Sequence, residues 1–167
     1  RPSNVDDKKT FTGLLEALIE ISRFLPVIFP VHPRTRKKVE EFGFAPHFKT
    51  LPDEAVKKGG IFITDPLGYL DFLCLMANAK MVITDSGGIQ EETTVLGVPC
   101  VTLRENTERP ITVTDGTNIL AGVDKENIVS AALSSLKRLK DKDYRAAVPP
   151  LWDGKAAKRI VEVLASI

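Results

Sequence analysis

The chain has 167 residues, 43% of them hydrophobic, enough to bury one substantial core and too few for two ordinary α/β domains. Its 23 basic and 22 acidic side chains leave a formal net charge of +1, which argues against nucleic acid or an anionic membrane as a partner. No apolar run approaches the roughly eighteen residues of a membrane span, and no basic-then-apolar leader follows Arg1-Pro2-Ser3-Asn4.

Asn4 to Asp6 offer cap residues before a helix expected from about Asp7 to Phe24, with Phe11, Leu14, Leu15, Leu18, Ile21 and Leu25 at the three-four spacing of one buried face. Pro26 to Val31 follows as a short strand, apolar on both faces and suited to the middle of a parallel sheet. Pro33 then opens a helix running through Arg36, Val39 and Phe42 to Gly43. His32 leaves the strand at its carboxyl end, where ligands bind in open α/β sheets. By spacing alone, a histidine between prolines reads as a structural hydrogen-bonder before it reads as a catalyst. The basic run Arg34, Arg36, Lys37 and Lys38 reads mostly as a solvated helix face.

Ala45 to Gly60 reads as loop with one helical turn near Asp53 to Lys57, and Ile61 to Thr64 as the next strand. Asp65 to Tyr69 turns into a helix from about Leu70 to Ala79, whose Phe72, Leu73, Leu75 and Met76 are core by periodicity. Cys74 and Cys100 lie in apolar runs with no C-x-x-C spacing and no histidine partner. They read as core thiols of a reduced cytoplasm, and neither a metal nor a cofactor is expected.

Met81 to Thr84 has the composition of a buried strand, Asp85-Ser86-Gly87-Gly88 interrupts it, and Ile89 to Leu96 reads as a helix ending at Gly97. Strand, glycine turn and helix together make the front half of a parallel α/β unit. The first turn of such a helix offers unpaired N–H groups at the positive end of its dipole, and the glycines admit a close ligand. A phosphate or diphosphate at Ser86, Gly87 and Gly88 is one reading; a tight turn needing small residues for packing is the other. Of Glu91 and Glu92, one can stabilise the helix terminus and the other can accept two hydrogen bonds from a ribose diol.

Val98 to Leu103 is a further buried strand, and Arg104-Glu105-Asn106-Thr107-Glu108-Arg109-Pro110 leaves its carboxyl end dense in charge. Pro110 can open a short helix through Val113, leaving Arg109 at its start facing the phosphate turn. There Arg109 either grips an anionic oxygen bidentately or pairs with Glu105 or Glu108. Thr117 to Ala121 looks like the last strand. Asp124 caps a helix from about Lys125 to Lys140 with Ile128, Ala132, Leu136 and Leu139 inward, and Gly154 to Ser166 forms a terminal helix.

The wording of these segments is more specific than their pattern. TDSGGIQEE followed by LGVPCVTLRENTERP, together with PVHPRTR, DPLGYLDFLCLM, ERPITVTDGTN and WDGKAAKRIVEVL, resembles the non-hydrolysing UDP-N-acetylglucosamine 2-epimerases over nearly the whole chain. The resemblance implies an α/β fold, a Rossmann-like parallel sheet with helices on both faces, as one half of a glycosyltransferase-B-type two-domain arrangement. It implies that residues 1–167 are the UDP-binding C-terminal domain, with 151–167 as the terminal crossover helix and an N-terminal domain outside this chain. A homodimer is the family's usual assembly.

By the same resemblance, Phe72 stacks on uracil and backbone groups at Leu67 read its edge. Glu92 holds ribose, Ser86, Gly87 and Gly88 hold phosphate, and His32 and Arg109 meet the leaving diphosphate, with acid or base work open to His32. The family eliminates UDP to form 2-acetamidoglucal and adds it back after protonation on the opposite face of C2, so UDP must stay bound while detached. The residues acting on the sugar belong to the other half. Many bacterial members carry Arg-Arg-Glu-Asn near an activating UDP-sugar site, where this chain has Arg1-Pro2-Ser3-Asn4 with no charge on Pro2 or Ser3. Besides the epimerase, a UDP-sugar-binding module without turnover and an enzyme of another UDP-2-acetamido sugar fit these motifs.

Overall fold

The computed structural model describes residues 1–51, 59–142 and 145–167. Asp7 starts the first long helix, α2 (Lys8–Ile21), by accepting a hydrogen bond from the Thr10 N–H at 2.8 Å. The residues ahead of it form a helical turn of their own, α1 (Pro2–Val5), with Pro2 in the first turn, where its missing N–H costs nothing. Strand β1 (Val27–Pro30) and helix α3 (Pro33–Glu41) follow as expected, then a 3-10 turn over Ala45–His47.

Next comes β2 (Phe48–Thr50), a strand where only loop was expected. Three residues, two of them exposed, carry no periodic signal; only pairing with β3 (Ile61–Thr64) makes them a strand. The helical turn expected near Asp53 to Lys57 lies outside the described residues. Helix α4 (Tyr69–Ala77), strand β4 (Val82–Thr84), helix α5 (Gly87–Leu96) and strand β5 (Cys100–Thr102) lead to α6 (Ile111–Thr114), β6 (Asn118–Leu120), α7 (Lys125–Arg138) and α8 (Ala156–Ala165).

All the strand pairs are parallel, in two ladders ordered β1-β3-β2 and β4-β5-β6. β3 is thus the middle of its ladder and β1 an edge of it. Helix α2 joins the two halves: Phe11 and Leu15 enter an apolar cluster with Val39, Phe44 and Ile61, while Leu14, Ala17 and Ile21 enter another with Val101, Ile128 and Ala132. Val27 packs against both clusters.

Alternation along β5 sorts the helices to its two faces. Val101 points into the apolar cluster beneath α2 and α7. Cys100 and Thr102 point the other way, toward Thr93 of α5 and Asn118, which in turn bonds Thr112 of α6. That second face is polar, and it lies under the helix that carries the glycine turn.

Two core expectations require correction. Cys74 is exposed, not a core thiol, while Cys100 is buried. In α4 only Met76 is fully buried, and Phe72, Leu73 and Leu75 are half-covered. Periodicity marks which side of a helix is apolar but not how much neighbouring structure covers it, and α4 packs chiefly along α5.

Candidate functional site

Within each ladder the strands are parallel, so their carboxyl ends share an edge, and the N-terminal segment links the two edges: Asn4 bonds Asp85 after β4 while Asp6 accepts from Arg34 after β1. His32 comes after β1, Leu67 after β3, Ser86 after β4 and Arg109 after β5. His32 is exposed and serves as the N-cap of α3, its Nδ1 accepting from the Arg34 N–H at 3.3 Å. A neutral ring held in this way carries its proton on Nε2, which is left to donate outward. The structural role that spacing favoured is therefore present, and it orients the remaining nitrogen. Arg34 and Arg36 are engaged by Asp6 and Asp65, so the basic run fastens α3 to its neighbours.

The glycine turn opens α5. Ser86 is the N-cap but its hydroxyl makes no capping bond, whereas Asp7 and Asp124 cap α2 and α7 with their carboxylates. The first-turn amides of α5 are thus free of a side-chain acceptor at the positive end of a ten-residue helix. Neither Gly87 nor Gly88 has a positive φ. A Cβ on Gly88 would meet nothing within 4 Å, and one on Gly87 would only touch Glu108 Oε2 at 4.0 Å. Neither backbone conformation nor packing among the described residues demands glycine at these two positions.

The two carboxylates of α5 have separate fates. Glu91 Oε1 accepts from Arg109 Nε at 2.9 Å. Glu92 makes no hydrogen bond or ion pair with the described residues and is half-buried. Arg109 is thereby brought to α5, but through Glu91, and not through Glu105 or Glu108 as the alternative from sequence had it. Glu108 is taken by Arg104, which grips both its oxygens at 2.9 and 2.7 Å. Those bonds hold the Glu108 carboxyl down at about 2 and raise the Arg104 guanidinium. Arg104 is itself nearly buried, so charge at the end of β5 is built into the structure.

On α4, Phe72 is half-covered and sits on the helix that packs along α5. Leu67 is 40% exposed in the loop after β3. Gly97, in the left-handed conformation at φ 69°, ends α5 as its position predicts.

Two contributors escaped sequence reasoning. Asn4, buried in α1, donates through Nδ2 to Asp85 Oδ2 at 3.1 Å and to the Leu103 carbonyl at 3.2 Å, tying the start of the chain to the turns after β4 and β5. Gln90 is fully buried and bonds the N-cap of its own helix and two other segments, the loop at Thr107 and β6 at Asn118. Gln90, Thr93 and Thr94 do fall at three-four spacing, but that theirs is the buried face of α5, with Val95 and Leu96 exposed, is decided by the packing. Polar residues at the three-four spacing of a buried face mark a hydrogen-bonded interface.

Parallel strands flanked by helices, with a glycine turn and polar loops at their carboxyl edge, define a Rossmann-like α/β domain. A family model described as UDP-N-acetylglucosamine 2-epimerase matches residues 1–165, and the chain belongs to that family. A UDP-N-acetylglucosamine 2-epimerase of Methanocaldococcus jannaschii is 42% identical over 166 residues, covering 98% of this chain and 42% of the relative. The structure of that organism's enzyme in complex with UDP-GlcNAc and UDP is similar at a TM-score of 0.79 and 41% identity, covering 100% of this chain and 43% of that one. A UDP-2,3-diacetamido-2,3-dideoxy-D-glucuronate 2-epimerase of Pseudomonas aeruginosa is 37% identical over 168 residues, covering 100% of this chain and 43% of the relative. The chain therefore spans less than half the length of these relatives.

Proposed function

We propose that this chain is the UDP-binding half of a 2-epimerase acting on UDP-N-acetylglucosamine. The observation that carries the reading is the pair of glycines at the start of α5: nothing among the described residues requires them, and they leave open space above uncapped helix amides. A diphosphate fits that space, because amide donors and the helix dipole both favour negative charge there. Arg109, at the neighbouring helix α6, supplies the cation, and Glu92, without a partner among the described residues, supplies an acceptor for a ribose diol. Phe72 offers the base a flat face, with Leu67 at its edge. His32, donating from Nε2, meets the outer phosphate.

This arrangement suits elimination and re-addition of UDP. Negative charge grows on the outer phosphate as the sugar departs, and fixed donors aimed at growing charge lower the barrier. The same contacts retain UDP until it re-adds. Turnover then depends on a partner wall, and the terminal helix is shaped for one: Ile160, Val161, Val163 and Leu164 of α8 are all exposed. We assign that face to an N-terminal domain of the full-length protein, which pairs as a homodimer in the cytoplasm. Free Cys74 and Cys100 accord with a reduced compartment.

The Pseudomonas aeruginosa relative favours a second reading of the sugar alone. It is similar along the same stretch but named for a different UDP-sugar, so residues that hold the nucleotide leave the sugar open. Calorimetric titration with UDP, UMP and uridine tests the nucleotide site, and UDP binding tightest is the expected order. Equal affinity for all three removes the diphosphate from the glycine turn. Epimerisation of UDP-N-acetylglucosamine by the full-length protein then separates the enzyme from a binding module.

A further inference from the structure

Gln90 is 0% exposed, and its three hydrogen bonds each reach a different segment. Nε2 donates to the Ser86 carbonyl at 3.2 Å, while Oε1 accepts from Thr107 Oγ1 at 2.6 Å and from Asn118 Nδ2 at 3.0 Å. The Ser86 carbonyl can only accept, so the end of the amide facing it is the Nε2 donor and the end facing Thr107 and Asn118 is the oxygen. Thr107 Oγ1 also accepts from the Arg109 N–H at 2.9 Å.

The network continues around Arg109. Asn118 Nδ2 also donates to Thr112 Oγ1 at 3.1 Å, and Thr112 gives its proton to the Arg109 carbonyl at 2.7 Å. Asn118 is set in turn by Thr102, whose hydroxyl donates to Oδ1 at 2.6 Å. The backbone of Arg109 is thus held at both its N–H and its C=O by two threonines, and both threonines answer to the same pair of buried amides. The Ser86 carbonyl, one residue before the glycines, is held by the other end of Gln90.

We infer that Gln90 is a positioning residue that sets the Ser86–Gly88 turn and Arg109 at a fixed separation, so that together they span a diphosphate. The inference rests on the UDP-binding reading and assigns Gln90 no contact with the ligand. The chemistry explains why an amide is used. The site needs a donor and a two-fold acceptor on separate atoms of one rigid plane; a carboxylate has no donor, and a hydroxyl carries donor and acceptors on one atom. A fully satisfied buried network has a defined geometry that an apolar core does not impose. The separation it sets matters to a diphosphate, which touches both elements, and not to uridine, which touches neither.

Thr107 tests this link without emptying the core, since valine preserves its shape and serine preserves its hydroxyl. Titrations in the full natural chain that carries these residues would use UDP, with uridine as the probe of base and ribose contacts. Thr107→Val should weaken UDP about tenfold, the scale of one buried hydrogen bond, and leave uridine unchanged; Thr107→Ser should restore UDP. Thr94→Val is the control for general loosening, because the Thr94 hydroxyl is fully buried on α5 but bonds only the Gln90 carbonyl of its own helix. It should lower the melting temperature and spare the preference for UDP over uridine. Native-like UDP binding by Thr107→Val, or an equal loss in Thr94→Val, overturns the positioning role. Absence of UDP binding by the native protein overturns the nucleotide reading itself, a distinct result.

Discussion

Arg109 Nε stands 2.9 Å from Glu91 Oε1, so the cation best placed to meet a phosphate is held by a carboxylate of the very helix whose N-terminus would bind it. Both side chains are partly exposed, and a pair of this kind contributes only about 0.2 to 1 kcal/mol. A diphosphate offers Arg109 more charge and better geometry. Arg109→Ala should therefore weaken UDP by about 1 to 3 kcal/mol, the range for a charge-assisted contact. Glu91→Gln should act in the opposite direction and tighten UDP by up to about fivefold, the equivalent of the released pair. Calorimetry on both variants checks the two signs together, and weakening by Glu91→Gln would show that the pair supports the ligand.

Glu92 differs from Glu91 in having no partner among the described residues. Its loss should cost the folded protein little, while UDP and uridine should both weaken by about 1 to 3 kcal/mol when Glu92→Ala removes the acceptor for the diol. A 2'-deoxyuridine diphosphate control locates the effect: with only the 3'-hydroxyl left to donate, it should lose less affinity in the variant than UDP does.

The bidentate Arg104–Glu108 pair makes part of the stability depend on acid. With the Glu108 carboxyl held at about 2 in the folded chain against 4.5 when free, its contribution is fully present above pH 4.5 and is lost as pH falls toward 2. Melting temperatures across that window should fall less steeply for Glu108→Gln than for the native chain. Parallel slopes would place the acid sensitivity elsewhere, for example at Asp7 or Asp153, whose carboxyls are also held low by their hydrogen bonds.

The two thiols should separate cleanly. Cys74 is exposed, whereas burial pushes the Cys100 thiol up. A thiol reagent at neutral pH should modify one cysteine promptly and the second only with unfolding, because the thiolate is the reactive form. Mass spectrometry of early product should place the label on Cys74; label on Cys100 would contradict the packing of β5.

Much of this was legible in advance for a local reason. Turn chemistry and capping are properties of a few adjacent residues, so the helix opened by Pro33, the helix ended by Gly97 and the strand before Ser86 could be read directly. The position of His32, Ser86 and Arg109 just past the carboxyl ends of β1, β4 and β5 followed from the alternation of strands and helices. What was missed is of another kind. β2 exists only through its pairing with β3, and the exposure of Cys74 depends on what covers α4.

The sequence by itself determined an α/β domain, because glycine, proline and apolar spacing are written residue by residue, and the wording of TDSGGIQEE and LGVPCVTLRENTERP marked the UDP-N-acetylglucosamine 2-epimerase family. Only the tertiary structure decided which charges meet. Four acidic residues lie within five positions of Arg109 or along α5, and spacing could not choose Glu91 over Glu92, Glu105 or Glu108. Nor could it show that Gln90 faces inward to join Ser86, Thr107 and Asn118, residues up to 28 positions away. Hydrogen bonds and ion pairs act over a few ångströms, and which groups come that close is set by how the helices pack on the sheet, not by their separation along the chain.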